Sequence, residues 1–122
     1  GVGSESFTVS DSIFIGGNGY FVFGTRSNTS QNGGVGVDYV YSRGDLKLDR
    51  GDIIQLEKAD GTVLDDILYH TSLSFPAGVG ASMSLSVLNA TDNDSGVNWC
   101  DSISALSGGD FGTPGAVNDS CD

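Results

Sequence analysis

Short apolar runs alternate with clusters of turn residues along this chain, and no stretch carries the 3.6-residue apolar period of an amphipathic helix. The clearest unit is residues 52–58 and 62–70 flanking Ala59-Asp60-Gly61. Asp-Gly between two apolar runs predicts a hairpin with a type I′ turn, because that turn needs positive φ at its central residues. In the second strand Val63, Asp65, Ile67 and Tyr69 share one face and Leu64, Asp66 and Leu68 the other. Both faces are mostly apolar, which predicts a central strand. Residues 81–88 alternate strictly, placing Ala81, Met83, Leu85 and Val87 inward and Ser82, Ser84 and Ser86 outward. Further strands are expected at 6–9, 12–15, 20–24, 37–42, 45–48 and 97–99. Loops are expected at 16–19, 25–36, 75–81 and 89–96, and an irregular tail from Ser107. Regularly spaced short strands of this kind indicate a β-sandwich or barrel. No internal repeat is visible.

Composition narrows what such a domain does. The 122 residues suit one domain with a real core. Nineteen glycines and 17% charged residues fit a turn-rich β-protein. The net charge is −11 with only five basic residues, which argues against nucleic acid and anionic membrane surfaces as partners. Divalent cations and basic partners stay open. No apolar run is long enough for a transmembrane helix. Cys100 and Cys121 are expected to form a disulfide that holds the tail, worth about 3 kcal/mol by loop entropy, and the bond implies a secreted or cell-surface location. The start at Gly1 reads as a processed mature protein or an excerpt. Asn28, Asn89, Asn93 and Asn118 each begin a glycosylation sequon, relevant only in a glycosylating host.

Candidate chemistry is sparse. The single histidine, His70, ends a strand with no nucleophile-elbow or zinc spacing around it and reads as structural, so no catalytic residue is assigned. Asp65 interrupts an apolar face. A carboxylate there needs hydrogen bonds, with loop amides or Ser82 as expected donors. Asp92 and Asp94 form half of a calcium loop that Asp101 would complete only through folding; calcium is the one cofactor considered, and a solvated acidic turn is the main reading. Arg-Gly-Asp occurs twice, at Arg43-Gly44-Asp45 and at Arg50-Gly51-Asp52.

Three motifs carry a family resemblance. They are the Gly51-Asp52 strand, the Gly61 turn and the Val63-x-Asp65-x-x-x-Tyr69 strand; then Gly80-Ala81-Ser82; then Gly112-Thr113-Pro114-Gly115-x-x-Asn118. With them the chain resembles the lamin tail domain of bacterial secreted and surface proteins, across residues 16–118. The resemblance implies an immunoglobulin-like β-sandwich without catalytic activity. It implies structural roles for Asp52, Gly61, Asp65, Trp99 and Pro114, and makes the second Arg-Gly-Asp a strand-entry turn. The family's opening Ile-Glu-Ile/Leu-x-Asn and Leu-x-Gly-Trp signatures do not occur here. Three explanations stay open: the opening strands lie outside this stretch, residues 1–9 have diverged to do their job, or a partner supplies them; in a self-assembling version residues 1–9, with Gly1, Val2, Phe7 and Val9, add to the sandwich of a neighbouring copy. The expected partner is protein, including other copies of the chain. Two further readings are an accessory domain of a secreted nuclease or other hydrolase, and an integrin-type adhesin using Arg43 and Asp45.

Overall fold

In the computed structural model, residues 5–122 are described, so Gly1 and Val2 lie outside the described residues. The architecture is β-rich, and among the described residues it comprises three two-stranded sheets and three short 3₁₀ turns. Strand β1 (Phe23–Gly24) pairs in parallel with β2 (Tyr39–Val40). Strand β3 (Asp52–Glu57) pairs antiparallel with β4 (Val63–Tyr69). Strand β5 (Met83–Leu85) pairs antiparallel with β6 (Trp99–Asp101). Among the described residues, no helix is long and apolar enough to cross a membrane.

The β3–β4 hairpin forms where the alternation predicts it, but with a different turn. Gly61 has φ 84°, and Asp60 is not among the residues with positive φ. Gly61 N–H donates to Lys58 O and Lys58 N–H to Thr62 O, both at 2.9 Å. That is a three-residue loop whose glycine forms the bulge; a separate register shift falls between Leu56 and Glu57, where Leu64 is the extra residue of β4. The Asp60 side chain explains the choice. It accepts from Thr62 N–H at 2.9 Å, a local bond that holds Asp60 in an ordinary turn conformation. Hydrogen bonds from the Thr62 hydroxyl and N–H hold the Asp60 carboxyl below its ordinary pKa.

Other expectations change. The 6–9, 12–15 and 45–48 segments form no strand. Burial alternates over residues 5–10 as in a strand, yet no ladder is made; residues 12–15 are exposed throughout. Strand β4 is not central among the described residues, where its sheet contains only β3 besides itself. Its Asp65, Ile67 and Tyr69 turn inward while Leu64 and Leu68 face solvent. Finally, Ser84 points inward and is 1% exposed. Its hydroxyl meets the Ser102 hydroxyl at 2.6 Å, and Ser102 meets Ser82 at 3.0 Å. Paired hydroxyls satisfy one another, so a serine ladder can be buried where lone serines would not be.

The core is small. Tyr69 and Phe75, 6% and 4% exposed, are its buried apolar side chains. They meet edge to face at 6.4 Å, and Phe75 lies 5.9 Å from Trp99. The Tyr69 hydroxyl donates to Asp49 O at 2.6 Å. Burial first, then the charges of Asp52 and Asp49, push the Tyr69 phenol above its ordinary pKa. A second aromatic cluster surrounds β1 and β2. Phe7 stacks on Tyr41 at 4.5 Å and 3° and also touches Tyr39 and Phe23.

Candidate interaction surface

The chain's polar side chains are spent mainly on holding loops. Asn93 is 5% exposed, and its amide donates to Asp65 at 2.6 Å. Asp65 is thus met by Asn93, while Ser82, the serine expected there, bonds Ser102 instead. The Asn93 carbonyl oxygen of the backbone accepts from the Trp99 indole at 2.8 Å, so one residue joins the middle of β4 to the start of β6. Gly96 fits between because it has no side chain. A Cβ there would stand 2.2 Å from Leu73 O and 2.5 Å from Phe75 N.

His70 is exposed and caps a 3₁₀ turn at Thr71–Leu73. Its Nδ1 accepts from Ser72 N–H at 3.1 Å and lies 2.7 Å from the Ser72 hydroxyl. Asp92 accepts from the Asn89 side chain at 2.5 Å, and Asp101 accepts from Gly78 N–H at 3.1 Å. Asp92 and Asp94 share one 3₁₀ turn, and no group of three or more His, Cys, Asp or Glu side chains is gathered for a metal among the described residues.

The tail is fastened twice. Cys100 and Cys121 form a disulfide with Cα atoms 5.4 Å apart, closing a separation of 21 residues. Asp119 accepts from Ile103 N–H, Ser104 N–H and the Ser104 hydroxyl at 2.8, 2.9 and 2.5 Å. These bonds, the Ser104 hydroxyl foremost, hold the Asp119 carboxyl below its ordinary pKa. Between the two fastenings and β6, Thr113-Pro114-Gly115-Ala116 turns with Ala116 N–H on Thr113 O at 3.0 Å and Gly115 at φ 76°. Pro114 supplies the fixed φ and Gly115 the positive one, the requirement of a type II turn.

The two Arg-Gly-Asp tripeptides differ. Arg43, Gly44 and Asp45 are all exposed on a turn in which Asp45 N–H donates to Ser42 O at 2.9 Å. The second leads into β3. Its Gly51 lies under the His70 ring, where a Cβ would stand 2.3 Å from Cδ2. Asp52 begins the strand and accepts from Ile53 N–H at 2.8 Å.

What remains is apolar surface. A folded monomer of this mass exposes about 6,200 Å² by the usual scaling, whereas this chain exposes 8184 Å². Exposed apolar side chains are spread along the chain, Val79 the most exposed of them at 97%. Both faces of the β3–β4 hairpin present apolar side chains, with Ile54 and Leu56 on one face and Leu64 and Leu68 on the other. In the Ile13-Phe14-Ile15 segment Phe14 is 93% exposed, while Ile13 and Ile15 are partly covered at 37% and 50%. Sequence patterning marks these residues as apolar but reads them as strands inside a sandwich; that they face outward depends on which strands lie beside them. Phe7 and Val9, expected to serve another copy, are half-buried, and Phe7 packs on the chain's own aromatic cluster. No protein-family profile, curated protein or solved structure matches this chain.

Proposed function

We propose that this chain is a non-catalytic extracellular module that works by binding protein, an incomplete immunoglobulin-like sandwich of lamin-tail type whose missing layer is supplied by its partner. One observation carries this reading. The surface exceeds that of a self-sufficient monomer by about 2,000 Å², and the excess includes apolar positions on both faces of an isolated hairpin. Large exposed apolar patches mark interaction surfaces. The internal disulfide fits an oxidising compartment. Fluorescence of a hydrophobic dye, read beside sedimentation velocity, tests it. The purified chain should either self-associate or bind dye strongly as a monomer. A monomer that binds no dye would sink the reading.

A second reading, adhesion through Arg43-Gly44-Asp45, is favoured by the exposure of all three residues on a turn. Cell attachment that survives Asp45→Ala would remove it.

A further inference from the structure

Asn-Gly occurs twice in this chain, at Asn18-Gly19 and at Asn32-Gly33. The dipeptide has a chemistry of its own. The backbone nitrogen after an asparagine can attack that asparagine's side-chain carbonyl carbon, and a glycine there places no side chain in the way. The dipeptide is the same at both places, so the fold decides which one reacts.

Asn32 is fixed. Its Oδ1 accepts from Gly34 N–H at 3.2 Å and Val35 N–H at 3.0 Å, and its Nδ2 donates to Arg26 O at 3.0 Å and Val35 O at 2.8 Å. The next residue is held as well. Gly33 O accepts from Gly108 N–H and from the Ser107 hydroxyl, both at 3.2 Å. A Cβ on Gly108 would stand 2.6 Å from Gly33 Cα, so the two loops are in contact. Turning the Asn32 carbonyl carbon toward Gly33 N breaks the four side-chain bonds together.

Asn18 is exposed, and its side chain makes no hydrogen bond among the described residues. It stands at φ 59°, a left-handed conformation that costs energy for a residue with a Cβ. One bond closes the turn, Gly19 N–H on Gly16 O at 2.8 Å. That bond occupies the attacking nitrogen, so the turn must open before reaction. Residues 11–20 are exposed throughout and make no other hydrogen bond among the described residues. A segment with no buried residue and a single exposed backbone bond opens at little cost, and opening also releases the strain at Asn18.

We propose that Asn18 is a site of spontaneous deamidation and that Asn32 is protected from it. Gly19 N attacks Asn18 Cγ and gives up its proton, which solvent delivers to Nδ2. The Cγ–Nδ2 bond breaks and ammonia leaves, and a cyclic imide joins Asn18 to Gly19 N. Water then adds to one of the two imide carbonyls. Opening at Cγ leaves aspartate. Opening at the backbone carbonyl leaves isoaspartate, whose main chain runs through the side-chain carbon. Either product adds one negative charge to the turn that follows the exposed Phe14. The inference stands independently of the interaction reading.

Peptide mapping of the full chain after incubation at mildly alkaline pH tests it, with one sample folded and one in urea. In the folded sample residue 18 should convert to aspartate and isoaspartate at least about tenfold faster than residue 32. In urea the two should react within about twofold of each other, because the dipeptide is the same and the fold is gone. The rate at residue 18 should rise with pH, since the attacking nitrogen must shed its proton. Asn32 keeping pace with Asn18 in the folded sample overturns the proposal. So does Asn18 that stays intact in the folded sample while the urea sample reacts, and so does aspartate at 18 without isoaspartate, the mark of direct hydrolysis.

Discussion

The side-chain amide of Asn93 donates to the Asp65 carboxylate at 2.6 Å, tying the loop after β5 to the middle of β4. Asn93 is buried, and its backbone oxygen simultaneously holds the Trp99 indole. Removing the Asn93 amide leaves Asp65 without that donor. Asn93→Ala and Asp65→Ala should each lower stability by about 1–3 kcal/mol. Their double variant should lose less than the sum, because the two share one bond. Urea unfolding of the four proteins checks it; strict additivity would show that the bond contributes nothing.

Burial of Asn93 also predicts which sequon accepts sugar. The Asn93 amide is inside the fold, Asn89 donates to Asp92, and Asn118 donates to Leu85 O. Asn28 is exposed, and its side-chain oxygen serves an Asx turn to Ser30 while its amide is left for modification. In a glycosylating host the folded protein should carry sugar at Asn28 and none at Asn93. Peptide mass mapping reads this directly.

Gly96→Ala should cost about 1–3 kcal/mol, because the added methyl meets backbone atoms that side-chain rotation cannot move away. Gly17→Ala is the control, since a Cβ there meets nothing within 4 Å. Thermal melts of the two should separate clearly.

The Cys100–Cys121 bond closes a separation of 21 residues, for which loop entropy gives about 3 kcal/mol. Cys100→Ser with Cys121→Ser should lower the unfolding free energy by about that amount and open the tail beyond Thr113 to protease. Limited proteolysis followed by mass spectrometry locates the cut.

Asp119 gives the tail a pH dependence. Its folded pKa lies below the unfolded value because Ser104 and Ile103 donate to the ionised form. The stabilisation is therefore present above the ordinary carboxylate range and lost as pH falls through the folded value. Protection of the Ile103 and Ser104 amides, measured against their intrinsic exchange rates at each pH, should fall on acidification, and Asp119→Asn should show the lowered protection already at neutral pH.

Local chemistry was legible where neighbours in sequence do the work. The hairpin lies where period-two alternation and Ala59-Asp60-Gly61 put it, and the type II turn follows from Pro114 and Gly115. Even there one detail does not follow from residue type. Whether Asp60 adopts positive φ or bonds Thr62 is a contest of small local terms, and the bond to Thr62 won. The Asp65 anchor was legible only as a demand for a donor; that Asn93 meets it depends on a loop arriving from 28 residues away.

The sequence by itself determined a β-rich chain, its main hairpin and a tail cysteine able to reach Cys100, because alternation, turn residues and cysteine count act over short spans. Tertiary structure decided which apolar faces are covered. Ser84 went inside because Ser102 was there to pair with it, and Ile54, Leu56 and Phe14 stayed outside because no further strand among the described residues pairs beside them. An apolar side chain records that burial is favourable; only the arrangement of neighbours in space sets whether its own chain provides it.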